Sequence, residues 1–496
     1  MFDAIFITDI NNPHYTGRAI GAYKCADVLR QSGYECLVVD HVSGFTQSEV
    51  EAVLHRAITP RTLFVGISST FLNNGVVANK LFSLHLPNTV TAPVNSTALI
   101  KKISPNCKIV FGGTRAGDDI SNTEVDYVVT GYAEAAILNL ANHLKYNLPL
   151  ENRYRNIHGV TIVTNNENIG YDFVNNTFSW TKDDVANIKV LPIEISRGCI
   201  FKCKFCSYPL NGKKNLDFIR TADNMYQELQ DSYDRFGVTD YILLDDTFND
   251  NEPKLDTMLA VVKRLSFRPK FWAYTRLDLI ARKPELIDKL YDIGLRSLYF
   301  GIETLNKKSG LIVGKGYDRT KQINMIAAIR KKYGNEVLMH GSFIVGLPDE
   351  SIKSVNTTFR TLMDNTIPLH SFTFGPLGIV PPAHRHFPSE FEKNYTKYGY
   401  TDGPLAEFNL IRWKNEHMTY DIAKDMAANF MNEANSSNRM YIPSHLGISM
   451  KNLGYSDDYI QNTKFNEINW DTVAVAKNTF VYEYKKLLFG RLGIDI

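Results

Sequence analysis

No apolar run in this 496-residue chain approaches the roughly 20 residues needed to cross a bilayer, so no membrane-spanning segment is expected. An excess of one charge is also missing. Lys and Arg number 55 against 53 Asp and Glu, a formal net charge of +2 that offers no basic footprint, so nucleic acid is not indicated as a partner. The six cysteines form no even disulfide framework, and Met1-Phe2-Asp3-Ala4 has no signal-like start, which makes a reducing cytoplasm the expected location. There is no internal repeat and no low-complexity tract. What remains, at 44% hydrophobic and 22% charged residues, reads as globular and too long for one core, with two or three domains expected.

Three cysteines do stand together, in Cys199-Ile-Phe-Lys-Cys203-Lys-Phe-Cys206. Thiolates on one short loop can ligate three corners of a four-iron cluster and leave the fourth iron open to a small molecule. Closed structural zinc wants four protein ligands, usually as two separated pairs, and no second C-x-x-C exists here; a zinc-stabilised binding protein is the competing, non-enzymatic reading. Cys25, Cys36 and Cys107 lie in regularly patterned apolar segments and read as small buried hydrophobes. Leu191 to Ser196 reads as a strand, Arg197-Gly198 as a turn, and the cysteine loop follows at the strand's carboxyl end, where α/β barrels place their chemistry.

With its C-x-x-x-C-x-aromatic-C signature, this region resembles the radical S-adenosylmethionine (SAM) superfamily. The resemblance implies that Cys199, Cys203 and Cys206 hold a 4Fe-4S cluster, with Phe205 as the aromatic beside bound SAM. In that family the open iron binds SAM, and one electron cleaves it to a 5'-deoxyadenosyl radical. Strand and helix segments alternate from Leu191 to Phe374, six units that predict a partial barrel with an open side for a large substrate. Family motifs then mark the strand ends. Asp245 and Asp246 stand where an acidic side chain holds the SAM amino group, the choice between them being open and helix capping an alternative. Arg276 would pair with the SAM carboxylate, or else bridge Asp278. Glu303, in Gly301-Ile-Glu303, would accept the ribose hydroxyls. The backbone of Ile344 and Gly346, in Gly341-Ser-Phe-Ile-Val-Gly-Leu-Pro348, would pair with adenine. No catalytic side chain beyond the cluster is assigned.

The first 145 residues or so alternate short strands and helices, which predicts a doubly wound parallel sheet with ligands outside the strand carboxyl ends. Those ends carry small residues: Ser68 and Ser69, Gly112 and Gly113, and Gly131. In order and spacing, the segments Gly21 to Ala26, Val65 to Ser69, Ile109 to Gly113 and Asp126 to Gly131 with Glu134 resemble the cobalamin-binding domain found ahead of many radical SAM barrels. That implies Ser68, Ser69, Gly112, Gly113 and Gly131 around a cobalamin. The D-x-H-x-x-G motif of domains that ligate cobalt through histidine is altered to Asn12-Pro-His14-Tyr-Thr-Gly17, so the group that would orient the His14 imidazole is lost.

The expected architecture is therefore α/β: a doubly wound Rossmann-like cobalamin-binding-type domain (1–148), a β-hairpin linker (149–184), a partial (β/α)6 radical SAM barrel (185–385) and a mostly helical cap (386–496), in which a helix runs from Trp413 to about Asn432. The expected activity is cobalamin-dependent methylation of an unreactive carbon, which requires both cofactors to face one cavity. The alternative is a cobalamin-independent rearrangement, cyclisation or methylthiolation. Expected partners are a small-molecule or peptide substrate and an electron donor such as flavodoxin or ferredoxin.

Overall fold

The computed structural model describes all residues except 11–15, 69–82, 85–93, 114–124, 151–152, 158, 166, 181, 184–187, 209, 211, 213–217, 316–317, 386, 407–408 and 496. Asn12, His14 and Ser69 thus lie outside the described residues.

Short all-apolar strands open the chain. Ala-Ile-Phe-Ile in β1 (Ala4–Ile7) and Cys-Leu-Val-Val in β2 (Cys36–Val39) are buried at every position, as expected of parallel strands covered on both faces by helices. With β3 (Phe64–Ser68), β6 (Lys108–Gly112), β7 (Tyr127–Gly131), β8 (Arg153–Ile157) and β9 (Val160–Asn165) they form one sheet in the order β2-β1-β3-β6-β7-β9-β8. A separate two-stranded pair, β4 (Ser83–Leu84) with β5 (Val94–Asn95), lies between β3 and β6 in sequence. The main sheet is parallel except for the final hairpin, whose β9 runs parallel to β7. The hairpin therefore extends the amino-terminal sheet and does not stand as a separate connector. Tyr171 to Val174, patterned like a short strand, forms turns instead. The order of β2, β1 and β3 puts the first strand in the middle, so the crevice beyond the carboxyl ends of β1 and β3 is a topological switch point, open to a ligand.

The second sheet contains β10 (Val190–Ile193), β11 (Asp240–Leu243), β12 (Lys270–Thr275), β13 (Leu295–Glu303), β14 (Leu338–Val345) and β15 (Ser371–Pro376), all parallel and in sequence order. Among the described residues no ladder joins β15 back to β10, so the barrel is partial. Its helices carry local signals that fix their ends. Thr221 caps Ala222–Phe236 and Gly237 ends it at φ 66°, while Asn251 caps Glu252–Arg264 with Pro253 in the first turn.

Two carboxyl-terminal features depart from expectation. Trp413 does not open a helix: it is fully buried in irregular chain, its indole N–H donating to the Leu377 carbonyl at 2.8 Å, and the helix spans Tyr420–Ser436 behind a Thr419 cap. A helix that the pattern did not mark also lies against the amino ends of the barrel strands, where Asn452 binds the backbone of Val190 and Lys451 pairs with Asp240. Helix Ser444–Asn452 contacts β10, β13 and β14, and its Ile448 packs on Val190 and Trp272. The same helix meets the amino-terminal domain, where Thr16 donates from its backbone N–H to Ser449 Oγ (3.2 Å) and from its hydroxyl to the Ser449 carbonyl (3.0 Å). The last helix, Trp470–Leu492, returns to the first domain, burying Tyr484, Leu488, Phe489 and Leu492 with Val50, Val53 and Leu54 in one apolar cluster.

Candidate active site between the two sheets

A cavity of about 870 Å³ lies between the carboxyl ends of the two sheets. From the first domain, Ser68, Gly112, Gly113 and Gly131 line it; from the barrel, Cys199, Cys203, Cys206, Phe205, Asp246 and Glu303 do so. Strand sequence explains both walls. Strands β3, β6 and β7 end at Ser68, Gly112 and Gly131, which brings backbone to the cavity on one side among apolar side chains such as Phe6 and Ile7, and the cysteine loop leaves β10 on the other.

The rim of the first domain suits a broad flat ligand. An added Cβ at Gly112 would approach only the Val129 carbonyl, at 3.9 Å, while Gly113 and Gly131 have φ of 126° and 85°, conformations that favour glycine. Gly66 also lines the cavity, and a side chain there would press on the Phe6 ring at 3.0 Å. The backbone is thus bare where a macrocycle would lie.

The cysteine loop is held at its root by Asp245. Its carboxylate accepts from the backbone N–H of Ile195 (3.0 Å) and Ser196 (3.1 Å), from Ser196 Oγ (2.7 Å) and from Lys254 Nζ (3.2 Å), all buried. Lys254 is itself 1% exposed and also pairs with Asp250 at 2.7 Å. Asp245 is thereby committed to the fold, and of the two carboxylates Asp246 is the one with a more accessible side chain at the cavity. Beyond the root, Cys199 Sγ lies 3.4 Å from Thr247 Oγ1, Cys203 Sγ 3.7 Å from the Gly314 carbonyl and 3.5 Å from an Arg276 nitrogen. Burial raises the Cys199 thiol and pushes Cys206 up to about 11. Bound iron would therefore displace protons from both.

The sulfurs fit a cluster better than one ion. Among the described residues, the group of three or more ligand atoms lying within 4.8 Å of one another is Asp9, Asp40 and His41; the three thiols stand wider. Zn–S bonds near 2.3 Å in a tetrahedron would draw sulfurs to about 3.8 Å. The Asp9 group is already balanced by cations: Arg18 donates to Tyr23, which donates to Asp40 at 2.5 Å, and the Lys477 charge acts on Asp9.

Other expected residues divide. Arg276 bridges Asp278 at 2.8 Å, as its alternative reading had it, yet also stacks 3.9 Å from the Phe201 ring centroid and lines the cavity. Glu303 lines it with φ 66°, an uncommon conformation for a non-glycine residue, at a register shift in the β13–β14 ladder. The shift turns its carboxylate to Lys315 Nζ at 3.2 Å. Ile344 and Gly346 are not among the lining residues. The Gly346 carbonyl instead accepts from the Tyr400 hydroxyl at 2.7 Å, and Trp413 packs against the glycine so closely that a Cβ would collide with the ring.

The structure adds residues that the sequence did not flag. Arg197, just before the cysteine loop, is buried and binds Glu134 of the first domain, Glu194 of β10's exit and Asn168 (2.6 Å), with the Phe173 ring 4.4 Å away. Lys24 pairs with Glu194 across the same junction. Lys315 and His445 also line the cavity. No motif marks them; Glu134 and His340, which Arg197 and His445 meet, are remote in sequence.

Residues 193–362 match the model of the radical SAM superfamily. Over 178 residues the chain is 29% identical to an uncharacterized methyltransferase of Pyrococcus horikoshii, a match covering 36% of this chain and 38% of that relative's length. The structure is similar to that of the radical SAM methyltransferase TsrM from Kitasatospora setae, solved with cobalamin and a 4Fe-4S cluster bound. The TM-score is 0.65 at 14% identity, covering 98% of this chain and 100% of that one. It is also similar to the cobalamin-dependent SAM radical enzyme OxsB, solved with aqua-cobalamin and SAM bound, at TM-score 0.56 and 14% identity, covering 80% and 56%. The chain thus carries a radical SAM domain at residues 193–362, within an overall fold similar to that of TsrM.

Proposed function

We propose that the protein is a cobalamin-dependent radical SAM methyltransferase that methylates an unreactive carbon of a small-molecule or peptide substrate. One observation carries the reading: the glycine-lined strand ends of the first domain and the cysteine loop of the second wall the same cavity. Bound there, a reduced cluster supplies one-electron cleavage of SAM and methylcobalamin supplies the methyl group.

The chain's own residues place and protect these groups. Cys199, Cys203 and Cys206 hold three irons and leave the fourth open. Asp246 accepts from the SAM ammonium, Arg276 faces its carboxylate, and Glu303, steadied by Lys315, accepts the ribose hydroxyls. Ser68, Gly112, Gly113 and Gly131 take the corrin face, and His445 of helix Ser444–Asn452 borders the chamber from the barrel side. An electron donor such as a flavodoxin or ferredoxin would reduce the cluster.

The test is the visible spectrum of anaerobically reconstituted protein after incubation with hydroxocobalamin and gel filtration. About one corrinoid per chain co-eluting with iron and sulfide is the expected result. Iron and sulfide without corrinoid would favour the cobalamin-independent alternative. Zinc at one per chain without iron, or SAM cleavage retained by Cys203→Ala, would overturn the radical reading altogether.

A further inference from the structure

We propose that the substrate is an uncharged, flat, conjugated ring system with an N–H or O–H at one edge, donated to the imidazole of His445 on the floor of the cavity. This takes from the methyl-transfer reading only that the substrate occupies this cavity.

Charge at the walls is matched or assigned: Asp245 is paired with Lys254, Asp246 is the proposed acceptor of the SAM ammonium, and the rest form pairs. Lys24 is paired with Glu194, Arg197 with Glu134 and Glu194, Arg276 with Asp278, and Lys315 with Glu303. A charged substrate would have to break one of these pairs or enter without a counter-ion, and an uncompensated charge in such surroundings is costly. What the walls do offer is apolar and aromatic area. Tyr208, Tyr274 and Leu244 are 57%, 48% and 36% exposed and line the cavity. Tyr274 also lies 4.7 Å from the Tyr299 ring, so the wall presents adjoining ring faces and edges, the surface against which another ring stacks.

The polar end is His445. It stands in the first turn of helix Ser444–Asn452, which lies against the barrel strands, and its ring meets His340 edge-on at 5.9 Å. His340 is fixed by two hydrogen bonds, Nδ1 with Ser371 Oγ (2.8 Å) and Nε2 with Thr373 Oγ1 (3.2 Å). Among the described residues the His445 ring makes no hydrogen bond, while it borders the cavity. Burial lowers its basicity, which keeps the imidazole neutral and leaves one ring nitrogen as an acceptor. The phenols of Tyr208 and Tyr274 are ready donors, so an unmatched acceptor on the floor selects for a donor on the substrate.

The experiment uses three fluorescent probes of one shape: 2-naphthol, which has the donor, 2-methoxynaphthalene, which lacks it, and 2-naphthoate, which is charged. Protein loaded with cluster, SAM and hydroxocobalamin is dialysed to equilibrium against each probe, and fluorescence is read on the protein-free side. The expected order is 2-naphthol tighter than 2-methoxynaphthalene by about fivefold, the scale of one net hydrogen bond, with 2-naphthoate weakest. His445→Leu should erase the difference between the first two, and His445→Gln, which keeps an acceptor oxygen, should retain it. No preference in the wild type, a preference for 2-naphthoate, or an unchanged preference in a folded His445→Leu protein would overturn the inference; if that variant does not fold, the wild-type and His445→Gln results decide. Corrinoid content measured on the same samples separates the two claims. Corrinoid bound without the 2-naphthol preference defeats the inference alone, whereas the preference without corrinoid defeats the methyl-transfer reading alone.

Discussion

Asp245 and Asp246 are adjacent, chemically identical and opposite in role. Asp245 is 1% exposed and holds two backbone amides, a serine hydroxyl and the Lys254 ammonium. Asp245→Asn should therefore cost about 3 kcal/mol and loosen the cysteine loop, since it breaks a buried pair and leaves Lys254 half-neutralised. Thermal unfolding and iron content of the reconstituted variant would both fall. Asp246→Asn should leave both unchanged and weaken SAM binding, measured by equilibrium dialysis of SAM. Glu350 makes a different residue-scale case. It is 2% exposed, Thr304 donates to one oxygen at 2.7 Å, and the other oxygen has no partner among the described residues. Burial pushes its carboxyl up from 4.5 to about 7. A folded pKa above the unfolded one means the folded state binds more protons between those values, so Glu350 loses favour as pH rises through that window. Glu350→Gln cannot ionise. Its unfolding midpoint relative to wild type should rise between pH 5 and pH 8, and a constant difference would contradict the assignment.

At the scale of elements, the loop leaving β14 shows how packing can override a motif. Gly346 has φ 96°, its carbonyl is bound by Tyr400, and the Trp413 ring fills the place of a side chain. Gly346→Ala should lower stability by about 2 kcal/mol or more, through both the unfavourable φ and the displaced indole. Thermal unfolding would measure it, and a neutral result would mean that the Trp413 loop yields easily. Helix Ser444–Asn452 has the opposite character. Its sequence is weakly patterned, yet Asn452 Oδ1 accepts from the backbone of Lys189 and Val190 (2.9 and 2.8 Å) and its amide donates to the Thr16 carbonyl at 3.3 Å. One side chain thus ties this helix to the start of β10 and to the first domain.

For the whole molecule, the junction of the domains is ionic at its centre and apolar around it. Arg197 is enclosed by Glu134, Glu194, Asn168 and aromatic rings, and it stands two residues before Cys199. Any tilt of the first domain would therefore pull on the cysteine loop. Glu134→Gln should lower the unfolding midpoint by several degrees, the cost of weakening a buried pair, and should reduce corrinoid retained after gel filtration. Unchanged retention would show that the junction does not shape the corrinoid wall.

Read from sequence alone, residue chemistry and local periodicity carried far. The cysteine triplet, the apolar strands and the capped barrel helices depend on neighbours a few positions away, and Ala222–Phe236 has the bounds its pattern indicated. The same holds for Gly112, Gly113 and Gly131, whose bare backbone lies at the cavity where strand order put it. The helix expected from Trp413 failed for the converse reason: a buried tryptophan satisfied by the distant Leu377 carbonyl obeys packing and not periodicity. Only tertiary structure could separate Asp245 from Asp246, because the distinction is which carboxylate meets Lys254 and Ser196. The same is true of Arg197, Lys315 and His445. Arg197 meets Glu134 only where the two sheets come together, while Lys315 meets Glu303 and His445 meets His340 only through packing around the barrel, and such contacts leave no spacing in the chain by which to read them.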